Sequence, residues 1–364
     1  MVRPFEAMAL AELVADRLVA TGFIRPSALW QGLQRCRPSF SHWGVGLLIS
    51  LRGLLVEPLA WLQSLLYAQR LRRVQLPDDP IVIIGLWRSG TTFLHQLLAC
   101  DPAVATARNT LTVAPQVALL LQPWIAPLMK AWMTWVRPID AVPWGPDDPQ
   151  EDELGLARLT FDTNMVGIAF PRDYLANFRR HVLETSKAYE RQWLTLCRVT
   201  WLHDGAGKSH CLIKNSVHTA RVRLVLKHFP RARLVLLRRS PVDSIRSLVQ
   251  VKQRLGALVG LQPLPDPPTQ VEVTATAHRE LLEAFETSRH LIPAQQLLEL
   301  DCDDLISQLL QAVAVIYTHF DLTSWPAAEG PIKARIDRAR SYTADPVQLP
   351  PPAELRLQEL VKAS

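Results

Sequence analysis

None of the five cysteines (Cys36, Cys100, Cys197, Cys211 and Cys302) forms a C-x-x-C pair. An odd, scattered set argues against a disulfide framework or a thiolate metal site and favours reduced thiols in a cytosol. The N-terminus lacks a clean apolar core followed by a small-residue cleavage site, and Glu6, Glu12 and Asp16 interrupt it, so no signal peptide is expected. Between Asp204 and Asp243 there is no acidic residue, yet the interval holds Lys208, Lys214, Arg221, Arg223, Lys227, Arg231, Arg233, Arg238 and Arg239. That stretch reads as a solvated basic face at Arg221, Arg223, Lys227 and Arg231, or as a positive field for a ligand phosphorylated at two positions. Few aromatics interleave it and no nucleic-acid module is recognisable, so no nucleic acid partner is expected. The net charge of +6 on 364 residues is modest, and the length suffices for one large domain or two modest ones.

Charge is also missing from Asn109 to Met129. The run has the length of a membrane span, but Pro115, Pro123 and Pro127 break it. Thr110–Val136 is therefore expected as short helices carrying Trp124, Trp132 and Trp135, either as plain core packing or as a greasy wall lining a channel for a lipophilic alcohol. Residues 1–75 are expected to be helical, with apolar patterns at Ala9–Val19 and Trp43–Leu71 ahead of Pro77-Asp78-Asp79-Pro80. This region holds nine arginines against four acids. It either packs on the core as an extra layer or lies on a membrane surface, while Arg52, Glu57 and Pro58 interrupt it too early for a spanning helix.

What is present is most telling at Ile81-Val82-Ile83-Ile84-Gly85-Leu86-Trp87-Arg88-Ser89-Gly90-Thr91-Thr92-Phe93-Leu94. Four apolar residues, all of them β-branched, suit a buried parallel strand; Gly85 and Gly90 permit sharp turns; from Thr92 the spacing turns helical. Backbone amides of residues 88–92, the hydroxyls of Ser89, Thr91 and Thr92, and the helix dipole together make an anion cradle. A nucleoside-triphosphatase loop requires G-x-x-x-x-G-K-S/T. Here Thr91 stands where that lysine belongs, and the cation has moved to Arg88, which suits a nucleotide bound without metal. A second strand–helix junction follows at Arg233–Ser247, with Pro241 placed for a first helical turn and Asp243 placed to suit the dipole.

These motifs resemble those of sulfotransferases that use 3′-phosphoadenosine 5′-phosphosulfate (PAPS). The R-S-G-T-T stretch is similar to that family's 5′-phosphosulfate loop. Arg239, Pro241 and Ser247 match its 3′-phosphate motif, with Arg238 as an adjacent alternative. Pro149-Gln150-Glu151-Asp152-Glu153 resembles the P-x-E-D-E segment of a broad bacterial branch. Leu212-Ile213-Lys214-Asn215-Ser216-Val217-His218 resembles its L-K-x-P-x-H segment, with serine in place of proline. Leu298–Leu305 resembles a late strand and acidic helix start in these enzymes, so the resemblance spans roughly residues 76–325. It implies an α/β fold, a mostly parallel sheet flanked by helices of the P-loop-NTPase-like sulfotransferase type, here with an added N-terminal helical region. It also implies PAPS as co-substrate, no metal, and a hydroxylated acceptor. Strands are expected near 81–85, 210–214, 233–238 and 297–301. The expected division is 1–75, then 76–325 with an acceptor-site insertion around 109–205, then a tail at 326–364.

Sulfuryl transfer needs in-line placement, a base for the acceptor proton, and positive charge where the bridging oxygen gains electron density. Arg88 is expected in the last role, with Lys214 as a second cation. Some relatives place a glutamate soon after the first helix, but Ala103-Val104-Ala105-Thr106-Ala107-Arg108-Asn109 contains no carboxylate. Glu151 and Glu153 are then the base candidates, with His218 and His95 as rivals. An acidic helix start, a cap or simple packing are the plainer readings of these residues. The non-catalytic alternative is a descendant that binds nucleotide or lipid; a nucleotide kinase is the other. A cytoplasmic enzyme, with peripheral contact at the inner membrane face as a further option, completes the expectation.

Overall fold

A computed structural model of the chain describes residues 22–132, 144–339 and 347–363. Five strands form one wholly parallel sheet: β1 (Ile81–Gly85), β2 (Val104–Thr106), β3 (His210–Lys214), β4 (Arg233–Arg238) and β5 (Leu297–Asp301). Their spatial order is β2-β3-β1-β4-β5. β1 therefore lies between partners reached by crossovers on opposite sides, with Ile83 paired to Lys214 of β3 and Gly85 to Leu237 of β4. That is the position where a crevice opens beyond the carboxyl ends of parallel strands.

The main helices are α1 (Pro26–Arg35), α2 (Trp43–Arg73), α3 (Thr91–Leu98), α4 (Gln122–Trp132), α5 (Asp152–Leu159), α6 (Lys187–Asp204), α7 (Val222–His228), α8 (Pro241–Val259), α9 (Pro267–Arg289), α10 (Leu309–His319), α11 (Trp325–Ala339) and α12 (Pro351–Ala363). Every residue of β1 is buried, and its side chains alternate between two cores. Ile81 and Ile83 pack with Leu94, Leu97 and Leu98 of α3, Val313 and Ile316 of α10, and Ile332 of α11. Val82 and Ile84 pack with Trp193 and Leu196 of α6 and Leu156 of α5. The four expected strands are present, and Val104–Thr106 adds a fifth at the sheet edge. Residues expected as a tail include most of α11, which is core, and α12, whose Ala353 and Leu357 pack on Ile245, Val249 and Val271.

α2 differs from its expected form. The helix runs unbroken from Trp43 to Arg73 with Pro58 inside it. Glu57 does not interrupt it, because its carboxylate turns inward to a bidentate pair with Arg25, at 2.8 Å for each contact. The Arg52 guanidinium lies 5.8 Å from the centre of the Phe23 ring. The expected wall resolves into a short helix, Asn109–Thr112, and α4. Trp135 and Val136, and the Ala9–Val19 pattern, lie outside the described residues.

Candidate active site

The loop after β1 holds its shape through left-handed backbone at three positions. Gly85 has φ +138°, Arg88 +65° and Gly90 +87°. At Gly85 a Cβ would sit 2.4 Å from the Leu237 carbonyl oxygen, so only glycine fits. Arg88 is a non-glycine residue in the αL region, a strained state that persists where surrounding contacts over-determine it. Two contacts do so here: Arg88 Nε donates to Ser247 Oγ at 3.0 Å, and Arg239 Nη1 donates to the Arg88 carbonyl. Ser89 is buried and donates its hydroxyl to the Leu86 carbonyl at 2.7 Å. Thr219 Oγ1 accepts from the Gly85 amide at 2.8 Å, clamping the strand end. Gly90 is the N-cap of α3, so the first-turn amides of Thr91 and Thr92 precede any i−4 carbonyl within the helix and point towards the loop.

From the opposite side, β4 brings two arginines that diverge. Arg238 is exposed and paired with Glu299 at 2.5 Å, away from the loop. Arg239 turns onto the loop backbone. Pro241 opens α8 as expected, which sets Ser244 and Ser247 one turn apart. Ser244 Oγ donates to the Trp87 carbonyl and lies 2.8 Å from His278 Nε2 of α9, so a residue absent from the sequence reasoning holds the loop from beneath. Burial pushes the His278 imidazole down to about 4, keeping it neutral.

The acidic triplet and the β3 segment interlock residue by residue. Lys214 Nζ, buried at the end of β3, bonds Glu151 Oε2. Asp152 accepts from His218 Nε2 at 3.1 Å, Asn215 Nδ2 at 2.6 Å and Trp193 Nε1 at 2.8 Å. Glu153 accepts from Asn215 Nδ2 at 2.8 Å and the Asn164 amide at 2.5 Å, with Arg221 Nη1 at 3.6 Å. Asp152 and Glu153 lie in the first turn of α5, which suits the helix dipole. Burial raises the Glu153 carboxyl, opposed by Arg221 and these hydrogen bonds.

The base candidates are thereby sorted by access. Glu153, His218 and His95 are 2%, 0% and 1% exposed, so none reaches a bound molecule in this arrangement. His95 bonds Thr106 Oγ1 at 2.7 Å, and burial depresses it well below the usual histidine range. Glu151 alone of the four is only partly buried, immediately before α5 and against Lys214. Arg221, read from the sequence as a solvated cation, is fully buried, stacks 3.9 Å from the Tyr189 ring centre and donates to the His181 carbonyl. Asp152, Asn215 and Thr219 are structural partners that the sequence reasoning did not single out. Asn215 also explains how Ser216 replaces the proline, because its side chain caps the following helical turn through the Val217 amide at 3.0 Å.

Two strand–helix junctions meet at one loop, with an arginine at each, in a parallel α/β domain. The model of the sulfotransferase family matches residues 80–327, and the chain belongs to that family and is a sulfotransferase. It is 25% identical over 311 residues, covering 84% of this chain and 77% of the relative, to the omega-hydroxy-beta-dihydromenaquinone-9 sulfotransferase Stf3 of Mycobacterium bovis, and equally to that of Mycobacterium tuberculosis. The fold is shared with two crystallised sulfotransferases. STF9 from Mycobacterium avium gives a TM-score of 0.64 at 16% identity, covering 94% of this chain and 97% of the other. STF1 from Mycobacterium tuberculosis H37Rv gives 0.63 at 19% identity, with 99% and 100% covered.

Proposed function

We propose that the chain transfers the sulfuryl group of PAPS to a hydroxyl of a lipophilic acceptor, working in the cytoplasm without a metal. The observation that carries this reading is the three-way clasp of Arg88, Arg239 and Ser247 around the loop after β1. In this account the amides of Gly90, Thr91 and Thr92 and the hydroxyls of Thr91 and Thr92 hold the 5′-phosphate, since a helix N-terminus and a turned loop favour anions, while Ser89, whose amide and hydroxyl both donate to the Leu86 carbonyl, shapes the loop. Arg239 and Ser247 hold the 3′-phosphate. Ser247 accepts from Arg88, which leaves its own O–H to donate to an anion.

PAPS supplies a sulfuryl group whose sulfur–oxygen bond to the 5′-phosphate breaks as a new bond forms to the acceptor oxygen. Arg88 and Lys214 place fixed positive charge where the leaving and sulfuryl oxygens gain electron density. Glu151 takes the acceptor proton. Its contact with Lys214 keeps base and cation together at the mouth, while Asp152, Glu153, His218 and Asn215 hold both in place. The lipophilic acceptor is supported by the acceptor in the name of the 25% identical relatives; Leu111, Ala118, Leu119 and Ile125, expected as wall or core, are core residues packed with Trp193 and Leu196.

The test is transfer of radiolabelled sulfur from PAPS to an extract of membrane alcohols, with Glu151→Gln as control. Label in an organic-soluble product from the parent, reduced in the variant, supports the proposal. Binding of bisphosphate without any transfer favours the non-catalytic reading.

A further inference from the structure

The outer surface of α2 is built the wrong way round for a helix of a water-surrounded enzyme. Its inner face is partly small: Gly53 and Ala60, with Ile49, Val56 and Gln63, lie against the protein. Leu47, Leu51, Leu54, Leu55, Leu62, Leu65 and Leu66 point outward with Trp43 and Trp61. Leu55, Trp61 and Leu65 are 78%, 72% and 77% exposed. From Trp43 to Leu66 no exposed residue of the helix is charged, a strip about 35 Å long at helical rise. Among the described residues this is the one helix long and apolar enough to cross a membrane. It cannot cross while its inner face is fastened along its length, and Gln63 fastens it: Nε2 donates to the Pro115 carbonyl at 3.0 Å, and Oε1 accepts from the Leu119 amide at 2.8 Å.

We infer that α2 is a docking surface for an anionic lipid bilayer, with the helix lying in the plane of the interface. An exposed apolar patch this large marks an interaction site. Charge decides between a bilayer and a second copy. Between residues 22 and 77 the sequence has seven arginines and one acid, Glu57, which Arg25 neutralises at 2.8 Å. Exposed Arg37 precedes the strip and exposed Arg70, Arg72 and Arg73 follow it, with Lys130 on α4. Two copies pressed face to face set like charges together at the strip ends, whereas anionic headgroups pair with all of them. Tryptophan around a leucine strip suits the depth where acyl chains meet headgroups.

A buried segment of chain ties the inner face of α2 to the end of β3. Gln150 donates its amide to the Ala107 carbonyl at 2.8 Å, beside Glu151. The same stretch of chain then runs on to Ala114 and Val117, which pack on Val56 and Ala60 of α2.

The experiment is flotation of the full chain with phosphatidylglycerol-rich vesicles and with phosphatidylcholine vesicles, together with sedimentation equilibrium in buffer. The variant combines Leu55→Gln, Trp61→Gln and Leu65→Gln, whose side chains are largely outside the fold. The parent should float with anionic vesicles and less with neutral ones. The variant should partition at least about tenfold more weakly, with thermal unfolding and 3′,5′-bisphosphoadenosine binding unchanged. Failure of the parent to float overturns the inference. So does a dimer in buffer that the variant abolishes and vesicles do not displace. Neither readout uses turnover, so the result is separate from that of the sulfuryl-transfer proposal.

Discussion

Arg88 Nε lies 3.0 Å from Ser247 Oγ, so the loop that ends β1 and the helix that follows β4 meet through one hydrogen bond between residues 159 apart in sequence. Arg239 completes the junction through the Arg88 carbonyl. The loop after β1 and the start of α8 are thus one hydrogen-bonded unit.

Arg239→Ala should weaken binding of 3′,5′-bisphosphoadenosine by roughly tenfold to a hundredfold, as expected for losing charge-assisted bonds of about 1.5–3 kcal/mol. Arg238→Ala should change it little, because Arg238 spends its charge on Glu299 at the surface. Calorimetric titration of both variants checks the pair.

The two glutamates should fail differently. Glu151→Gln should slow single-turnover transfer by about 10²–10⁴, the range typical of a lost general base, with little loss of stability. Glu153→Gln sets an amide donor among the Asn215 amide, the Asn164 N–H and Arg221, and should cost about 1–3 kcal/mol of folding stability. Rapid-quench kinetics and thermal melts on the same preparations separate the roles; equal rates for parent and Glu151→Gln would remove Glu151 as the base.

Gly85→Ala should be among the most damaging small changes. Its Cβ meets the Leu237 carbonyl oxygen, a strand backbone atom, at 2.4 Å and Ser89 Oγ at 3.2 Å, on a backbone with φ +138°. A loss of at least about 2 kcal/mol is expected, visible as a Tm lower by several degrees.

Stability should also fall with acid. His278 is held near 4 by burial, against about 6.5 in an unfolded chain, so the unfolded state binds the extra proton between those values. The contribution is whole above about pH 6.5 and drains away as pH falls towards 4, by up to about 1.4 kcal/mol per unit. A His278→Gln chain should lose Tm less steeply across that window. Buried His95, also depressed, keeps part of the slope.

Much of the fold could be read from sequence because β1, β3 and β4 carry continuous apolar runs that a buried parallel sheet demands. β2 could not, being three residues long at the edge. The loop and the arginine–serine spacing were legible because turn chemistry and a helix start are local. What was hidden is non-local. Asp152 and His218 are 66 residues apart, and nothing in either segment says that Glu151 meets Lys214 while Asp152 and Glu153 share Asn215. The outward face of α2 was hidden by Arg52 and Glu57, which look disruptive in a linear run but turn inward on the helix, Glu57 to Arg25 and Arg52 towards Phe23.

The most direct measurement is calorimetric titration of the parent chain with 3′,5′-bisphosphoadenosine in the presence of a chelator, beside ATP with magnesium. Metal-independent micromolar binding of the bisphosphate, weakened roughly tenfold to a hundredfold in Arg239→Ala, is the predicted result. Binding of magnesium ATP with no response to the bisphosphate would contradict the PAPS site and point to kinase-like nucleotide use.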